Sequence, residues 1–296
     1  MVEVGGTTLR SEVVDRVVKG FADRVYKFKQ AVSIVPTKAW TSIYYRETND
    51  VLTAQTGNDP KGLPRGANFP QGSVTWNKIQ DAMEKYGFED NIYWEDIQSD
   101  NIDVQARTLY RISERVAKSV DDAIWAVLTD GVAAAGGTAN NIQSIRIAAQ
   151  AEWTNAASCA IVDNLMNAKQ LIAIKNYDIG GLMCFISARD HRSIVNYVHS
   201  KGAQYAGFGE EAARNGRVGQ LAGIQFIVSN SVTASFALVV VPKICGSWKE
   251  HTPMTTDTTM DAFKSTRIRA VEVGVTQLTD PDSVVIIRNT QRTADL

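Results

Sequence analysis

Between Asn101 and Leu128 the sequence has no glycine and no proline, and apolar residues recur at Leu109, Ile112, Val116, Val120, Ala123, Ile124 and Val127. Steps of three and four put them on one stripe of an α-helix. Uninterrupted, that helix is roughly 42 Å long at about 1.5 Å per residue. Any fold for this chain must lay a single rod across the body and give its stripe one long apolar surface. The ends are legible as well. Ser99 or Asp100 stands where a start cap belongs, Asp103 lies in the first turn where the helix dipole favours an acid, and Gly131 follows the last turn.

A second constraint lies upstream. Three of the seven prolines, Pro60, Pro64 and Pro70, fall between Gly57 and Gly72, with Gly62 and Gly66 among them. Helix is excluded there and a central strand nearly so. Extended, partly alternating stretches flank the segment: Ala39 to Arg46 reads as a strand, and Tyr44 to Thr53 and Ser73 to Gln80 are extended. The whole predicts a long excursion with a Pro/Gly tip, a kind of loop that is usually functional or mobile. Before it, Val13, Val14, Val17, Val18, Phe21, Val25 and Phe28 make an amphipathic helix over Arg10 to Phe28, weakened at Gly20. Such an arm needs a surface to lie on, and a neighbouring subunit can supply one.

Past the rod, Gly131 to Ala151 reads as loop and Ala160 to Ala173 as helix. Leu182 to Ile186 is a short buried strand, and Ser187 caps a helix over Ala188 to Ser200. Ile224 to Val228 and Phe236 to Val241 are strands. Thr266 to Gln277 is a long strand with Arg267, Arg269, Val271, Val273 and Val275 on one face. A turn at Asp280 to Asp282 leads to a last strand over Ser283 to Arg288, the two making a closing strand pair. Helices and strands are segregated and no internal repeat is present, so the class is α+β.

Net charge is −1, from 31 basic and 32 acidic residues. A protein that grips nucleic acid by its phosphates carries a basic excess or cluster, and neither is present. Near-neutrality permits close packing beside like copies. The odd cysteine count, Cys159, Cys184 and Cys245, argues against a disulfide framework. The apolar runs are too short for membrane helices, and Met1 to Arg10 has no signal core, so synthesis in the cytoplasm is expected.

Candidate chemistry is thin. Gly207 to Ala212 matches a degenerate dinucleotide pattern, but no clear strand precedes it and Glu210 and Glu211 would face the phosphates; loop is the better reading. Ser187, Asp190 and His191 read as a helix cap with a dipole-favoured acid rather than a triad. His191, His199 and His251 lack metal-ligand spacing with the cysteines. The pairs Glu95/Asp96, Asp121/Asp122 and Glu210/Glu211 are adjacent in sequence, so their side chains point apart. No catalytic, cofactor or metal site is expected.

Three places carry a resemblance to a known family. Asp96-Ile97-Gln98-Ser99-Asp100 runs into the long helix, which ends in Asp121-Asp122 and then Thr129-Asp130-Gly131. A strand over Leu182 to Ile186 enters Ser187-Ala188-Arg189-Asp190-His191, followed by Lys201-Gly202-Ala203-Gln204-Tyr205. Gly219-Gln220-Leu221-Ala222-Gly223 precedes a strand, a turn at Ser229 to Val232, and the final strands. In order and spacing, from about Ala39 to Thr290, the chain resembles the major capsid proteins of tailed double-stranded DNA viruses, with the Hong Kong 97-type fold that encapsulins share.

The resemblance implies an N-terminal arm with an amphipathic helix at 1–38, and an extended loop with flanking strands at 39–80. It implies a peripheral domain at 81–156 and 250–296 that includes the spine helix 101–128, and an axial domain at 157–249. It implies self-assembly as pentamers and hexamers into an icosahedral virion capsid in the host cytoplasm. Double-stranded DNA is packaged without sequence-specific binding. Portal, scaffolding and decoration proteins are further partners, the scaffold being separate, or absent, because no cleavable N-terminal region is seen. An encapsulin-type shell, or an unrecognised α+β enzyme, are the alternatives.

Candidate intersubunit contacts are Tyr44, Tyr45, Lys61, Arg65 and Trp76. The aromatics either anchor a neighbour or pack within their own subunit. Some members of the family join a loop lysine to an asparagine of a neighbour, and Lys61 and Asn289 occupy the corresponding regions.

Overall fold

A computed structural model of the chain describes residues 18, 26–47, 65–66, 68, 76–95, 102–129, 142–155, 158–201, 219–261 and 263–292. After a 3₁₀ turn at Phe28–Gln30 come β1 (Ser33–Pro36), β2 (Thr41–Glu47), β3 (Trp76–Ala82), β4 (Glu84–Tyr93) and α1 (Ile102–Leu128). Next are β5 (Gln143–Arg146), α2 (Ile161–Ile174), β6 (Leu182–Ile186) and α3 (Ala188–Ser200). The chain ends with β7 (Gln220–Leu221), β8 (Ile224–Val228), β9 (Phe236–Val240), β10 (Gly246–Asp261), β11 (Ser265–Leu278) and β12 (Val284–Arg288).

The rod anticipated over 101–128 is present. Leu109, Ile112, Val116, Val120 and Ile124 of its stripe are buried, joined by Ala117, Trp125 and Leu128. Its surface is a four-stranded sheet in the order β1-β10-β11-β4, together with one face of a six-stranded sheet in the order β5-β12-β9-β6-β8-β7. The continuous apolar runs of the six-stranded sheet now have a reason: both of its faces are covered. Phe185, Leu238, Val240, Val284 and Ile286 face α1, while Cys184, Ile186, Val239, Val285 and Ile287 face α2 and α3. The two sheets thus share a core. The chain crosses between them at 241–245 and again at 279–283, and the crossings are tied by hydrogen bonds from Thr279 Oγ1 to the Ile244 carbonyl (3.1 Å) and from Asp280 N to the Cys245 carbonyl (3.4 Å).

Three features depart from the sequence reading. The segment 131–151 contains a strand, β5, which pairs with β12 and leaves Ile145 against the second core. The two last strands are not partners: β11 pairs with β10 and β4, whereas β12 pairs with β9 and β5. β12 therefore belongs to the six-stranded sheet with 182–240, not to the four-stranded sheet that holds β11. Of the segment 10–28, residues 18 and 26–28 are described. Val18 is helical and buried, but the α-helix does not extend through Phe28, which opens the 3₁₀ turn. The caps at Ser99 or Asp100, Gly131, and the 207–212 motif lie outside the described residues.

Ser187 caps α3 as its sequence position predicts. Its hydroxyl accepts from Asp190 N (3.1 Å), donates to Asp190 Oδ2 (2.7 Å), and accepts from Gln291 Nε2 (2.8 Å). These bonds commit Ser187 to holding the helix start.

β10 is 16 residues long. β1 covers it only over Ser247 to Glu250, and two register shifts follow, between Glu250 and Thr252 and between Thr252 and Thr255. Pro253 sits within the second, past the stretch that β1 covers, where its missing N–H costs no ladder bond to β1. Across from Glu250 lies Gly274, where a Cβ would stand 2.7 Å from Trp248 Cε2 and 2.8 Å from the Lys249 carbonyl oxygen. Only a glycine there lets the buried indole of Trp248 lie across the sheet.

Candidate intersubunit surface

β2 and β3 form a two-stranded antiparallel ribbon outside both larger sheets, in register from Thr41↔Ala82 to Glu47↔Trp76. An isolated ribbon is marginal in water, so its root must be held. Arg46 does this. It is buried, its Nε donates to the Leu278 carbonyl at the end of β11 (3.0 Å), and its Nη2 donates to Tyr44 Oη (2.9 Å). Between the ribbon, the sheet and α1 runs a groove of about 860 Å³, lined in part by Tyr44, Arg46, Asp81 and Tyr86. Burial raises the Asp81 carboxyl above its ordinary pKa, against the opposing pull of the Arg46 guanidinium.

Alternation along β2 then decides what faces outward. Tyr44 and Arg46 turn in, while Ile43 and Tyr45 turn out and are 50% and 58% exposed. Tyr44 is therefore buried in its own subunit. Its ring packs within its own subunit because the bonded pair with Arg46 draws it there. Arg65 is exposed in a turn. Trp76 pairs with Glu47 in the ladder, but its side chain, like Lys61, lies outside the described residues. Asn289 donates its amide to the Ile147 carbonyl of its own chain (3.2 Å).

The sequence reading missed other exposed apolar residues. Trp40 precedes the ribbon and lies 4.4 Å from the His251 ring, centroid to centroid. Met260 and Phe263 stand at the β10–β11 turn. Period-2 alternation was the available signal for Ile43.

A second cluster fixes the arm to the body. Asp121, buried on α1, accepts from the backbone N–H groups of Lys27 (Oδ2, 2.8 Å) and Phe28 (Oδ1, 3.2 Å). Phe28 then stacks on Phe185 at 4.4 Å. Glu272, fully buried on β11, accepts hydrogen bonds from Tyr26 Oη and Lys29 Nζ. Lys29 also lies 4.1 Å from the Tyr26 ring centroid and 3.6 Å from Glu250 Oε1.

Burial raises the Asp121 carboxyl from 3.8 to about 6, opposed by its two N–H partners and the Lys29 charge. The folded state holds this proton more tightly than the unfolded one. The contribution to stability is therefore complete below about pH 4 and is lost as pH rises through about 6. Asp121→Asn is expected to shrink the gain in urea-unfolding free energy between pH 7 and pH 4.5 by about 2 kcal/mol. An unchanged gain would mean the carboxyl titrates alike in both states.

Cys184 and Cys245 are buried, which raises both thiols, Cys245 to about 12, and leaves them poor nucleophiles. Among the described residues, no three His, Cys, Asp or Glu side chains are grouped to hold a metal ion. No helix among them is long and apolar enough to cross a membrane.

A sequence profile of the family described as phage capsid protein matches residues 80–287. No curated protein matches the chain by sequence. Among solved structures, the capsid of cyanophage P-SCSP1u superimposes with a TM-score of 0.64 at 14% identity, covering 89% of this chain and 88% of that one. The mature capsid of bacteriophage PhiM1 gives 0.63 at 15%, over 90% and 88%. A virus-like particle from Pyrococcus furiosus gives 0.63 at 8%, over 94% and 98%. At these identities the likeness is one of fold.

Proposed function

This chain belongs to the phage capsid protein family, and we propose that its shell is held by ribbons and arms that each subunit lays over its neighbours. It is a structural protein with the Hong Kong 97-type fold, and its place is the capsid of the virion. A shell closes only if each subunit makes heterologous contacts that repeat around rings. The observation that supports ribbon exchange is the outward face of β2. Ile43 and Tyr45 are half exposed on a ribbon whose root is clamped by Arg46. Tyr45 and Arg65 are the described candidates for that contact, with Lys61 and Trp76 farther along the same excursion. The rings are pentamers and hexamers, assembled in the host cytoplasm. The enclosed double-stranded DNA is contacted without base reading, in keeping with a net charge of −1. Portal, scaffolding and decoration proteins complete the particle.

Electron microscopy of the full chain tests this, with closed shells tens of nanometres wide expected. The double variant Ile43→Asp/Tyr45→Asp should keep the subunit folded. Each contact loses on the order of 2–3 kcal/mol of apolar burial, and particle yield should fall at least tenfold. Undiminished yield would sink the ribbon contact. A second reading, a compartment shell around protein cargo, draws on the likeness to the Pyrococcus furiosus particle. Nucleic acid extracted from particles taken from the native source separates the two.

A further inference from the structure

Residues 289–292, which follow β12, are sewn to several separate places in the body. Asn289 Nδ2 donates to the Ile147 carbonyl (3.2 Å), and Trp153 N donates to the Thr290 carbonyl (2.9 Å). Thr290 N donates to the Ser235 carbonyl (3.2 Å), Gln291 Nε2 to Ser187 Oγ (2.8 Å) and Arg292 N to Thr154 Oγ1 (3.1 Å). This strap joins the stretch 147–154, the turn before β9 and the start of α3. Thr290 and Gln291 within it are buried.

Against the strap lies Asp190, which is fully buried. Its Oδ2 accepts from the Ser187 hydroxyl (2.7 Å), and its Oδ1 has no hydrogen-bond partner. The Thr290 hydroxyl stands close to the carboxyl, and it too makes no hydrogen bond. The groups within reach of the carboxyl, from Ser187, Thr290 and Gln291, are all neutral. A buried carboxylate without a cation is strongly disfavoured, so burial raises Asp190 above the ordinary carboxylate range. The ionisable groups on the surrounding elements are few. On α3, Arg189 is exposed and His191 half-buried; Arg292 of the strap is exposed; Glu152 is buried with its Oε2 unpartnered. The Cys184 thiol of β6 feels the Asp190 charge and is itself kept neutral by burial.

We propose that the strap 289–292 is a proton-controlled latch: it stays shut over Asp190 while that carboxyl carries its proton, and it opens when the proton leaves. The latch works within a single subunit, whatever the chain assembles into. Opening lifts Thr290 and Gln291 away and lets water reach the carboxyl. An ionised carboxyl gains far more from water than a neutral one. The open form therefore holds the proton less tightly than the shut form, and ionisation favours opening. The shut form has its full advantage below about pH 4, the ordinary range for an aspartate. It loses that advantage as pH rises through the raised value of the buried carboxyl. Protonation also turns an acceptor into a donor. An O–H on Oδ1 can be given to Thr290 Oγ1, which satisfies both unpaired atoms at once. Opening costs the start of α3 its bond from Gln291 and frees Trp153 N, while the β12–β9 ladder lies outside the strap.

Hydrogen exchange of the full-length, unassembled subunit tests the latch. It is read by mass spectrometry on peptides spanning 150–155 and 288–292, with β9 as internal reference and with rates corrected for the intrinsic pH dependence of exchange. Between pH 5 and pH 8 the protection of the strap peptides is expected to fall at least about threefold relative to β9. In Asp190→Asn, which is neutral at every pH, it should stay level. No fall in the unaltered chain, or an equal fall in Asp190→Asn, would overturn the latch. Gln291→Ala gives a second reading that does not depend on the folding of Asp190→Asn, since it cuts the bond to Ser187 and leaves the carboxyl in place. Its strap peptides should be less protected at pH 5 and should lose less on going to pH 8. Full protection at pH 5 in Gln291→Ala would overturn the latch as well.

Discussion

Deleting residues 56–71 is expected to leave a folded subunit that forms no shells. The deletion joins 48–55 to 72–75, which leaves ample chain to close the β2–β3 hairpin. The ladder from Thr41↔Ala82 to Glu47↔Trp76 and the Arg46 clamp both lie outside it. Shortening a loop lowers closure entropy only slightly, a few tenths of a kcal/mol, so the melting temperature should move by no more than about 2 °C. On the proposed reading, what disappears is the contact of the Pro/Gly segment with a neighbour. Sedimentation should show monomers or small rings where the full chain gives closed particles. Normal particles from the deletion would mean that the excursion does not bind subunits together.

The second large effect concerns the body. Replacing Lys29 with methionine should destabilise the subunit by about 3–5 kcal/mol, because it leaves the Glu272 carboxylate fully buried with Tyr26 Oη as its remaining bonded partner. That corresponds to a fall of roughly 10 °C in Tm for a chain of this size. The double variant Lys29→Met/Glu272→Leu should recover much of the loss, since two apolar residues need no partner where one stranded charge does. Urea unfolding of unassembled subunits measures both. Equal losses in the single and double variants would show that the pair's packing, not its charge balance, sets the cost.

Local signals made a large part of this fold legible. α1 begins one residue from the expected start, and β6, α3 and β8 occupy the expected spans, because periodicity, a serine cap and flanking turns are written within each segment. Pairing was not legible. The run from Val284 to Ile287 announces a strand covered on both faces, but nothing in those residues says that β9 and β5 are its neighbours. β4 and β10 carried weak patterns. β4 is exposed along most of its length, and β10 mixes threonines with four charged residues and a proline. Tyr44 and Tyr45 look alike in sequence, and alternation sends one inward and one outward. Which is which depends on Arg46 reaching a carbonyl 232 positions away. Glu272 stands among valines, and its partner Lys29 is 243 positions away. Contacts of that range leave no local trace.

The common core beneath the two sheets has a mechanical consequence. With two bonded crossings and a stacked Phe28–Phe185 bridge, the described residues show no seam along which one half can swing against the other. If the shell is built of pentamers and hexamers as proposed, identical pieces must nonetheless sit at slightly unequal tilts. A stiff brick leaves that tolerance to its mortar: the outlying ribbon and the slipped stretch of β10 past Glu250.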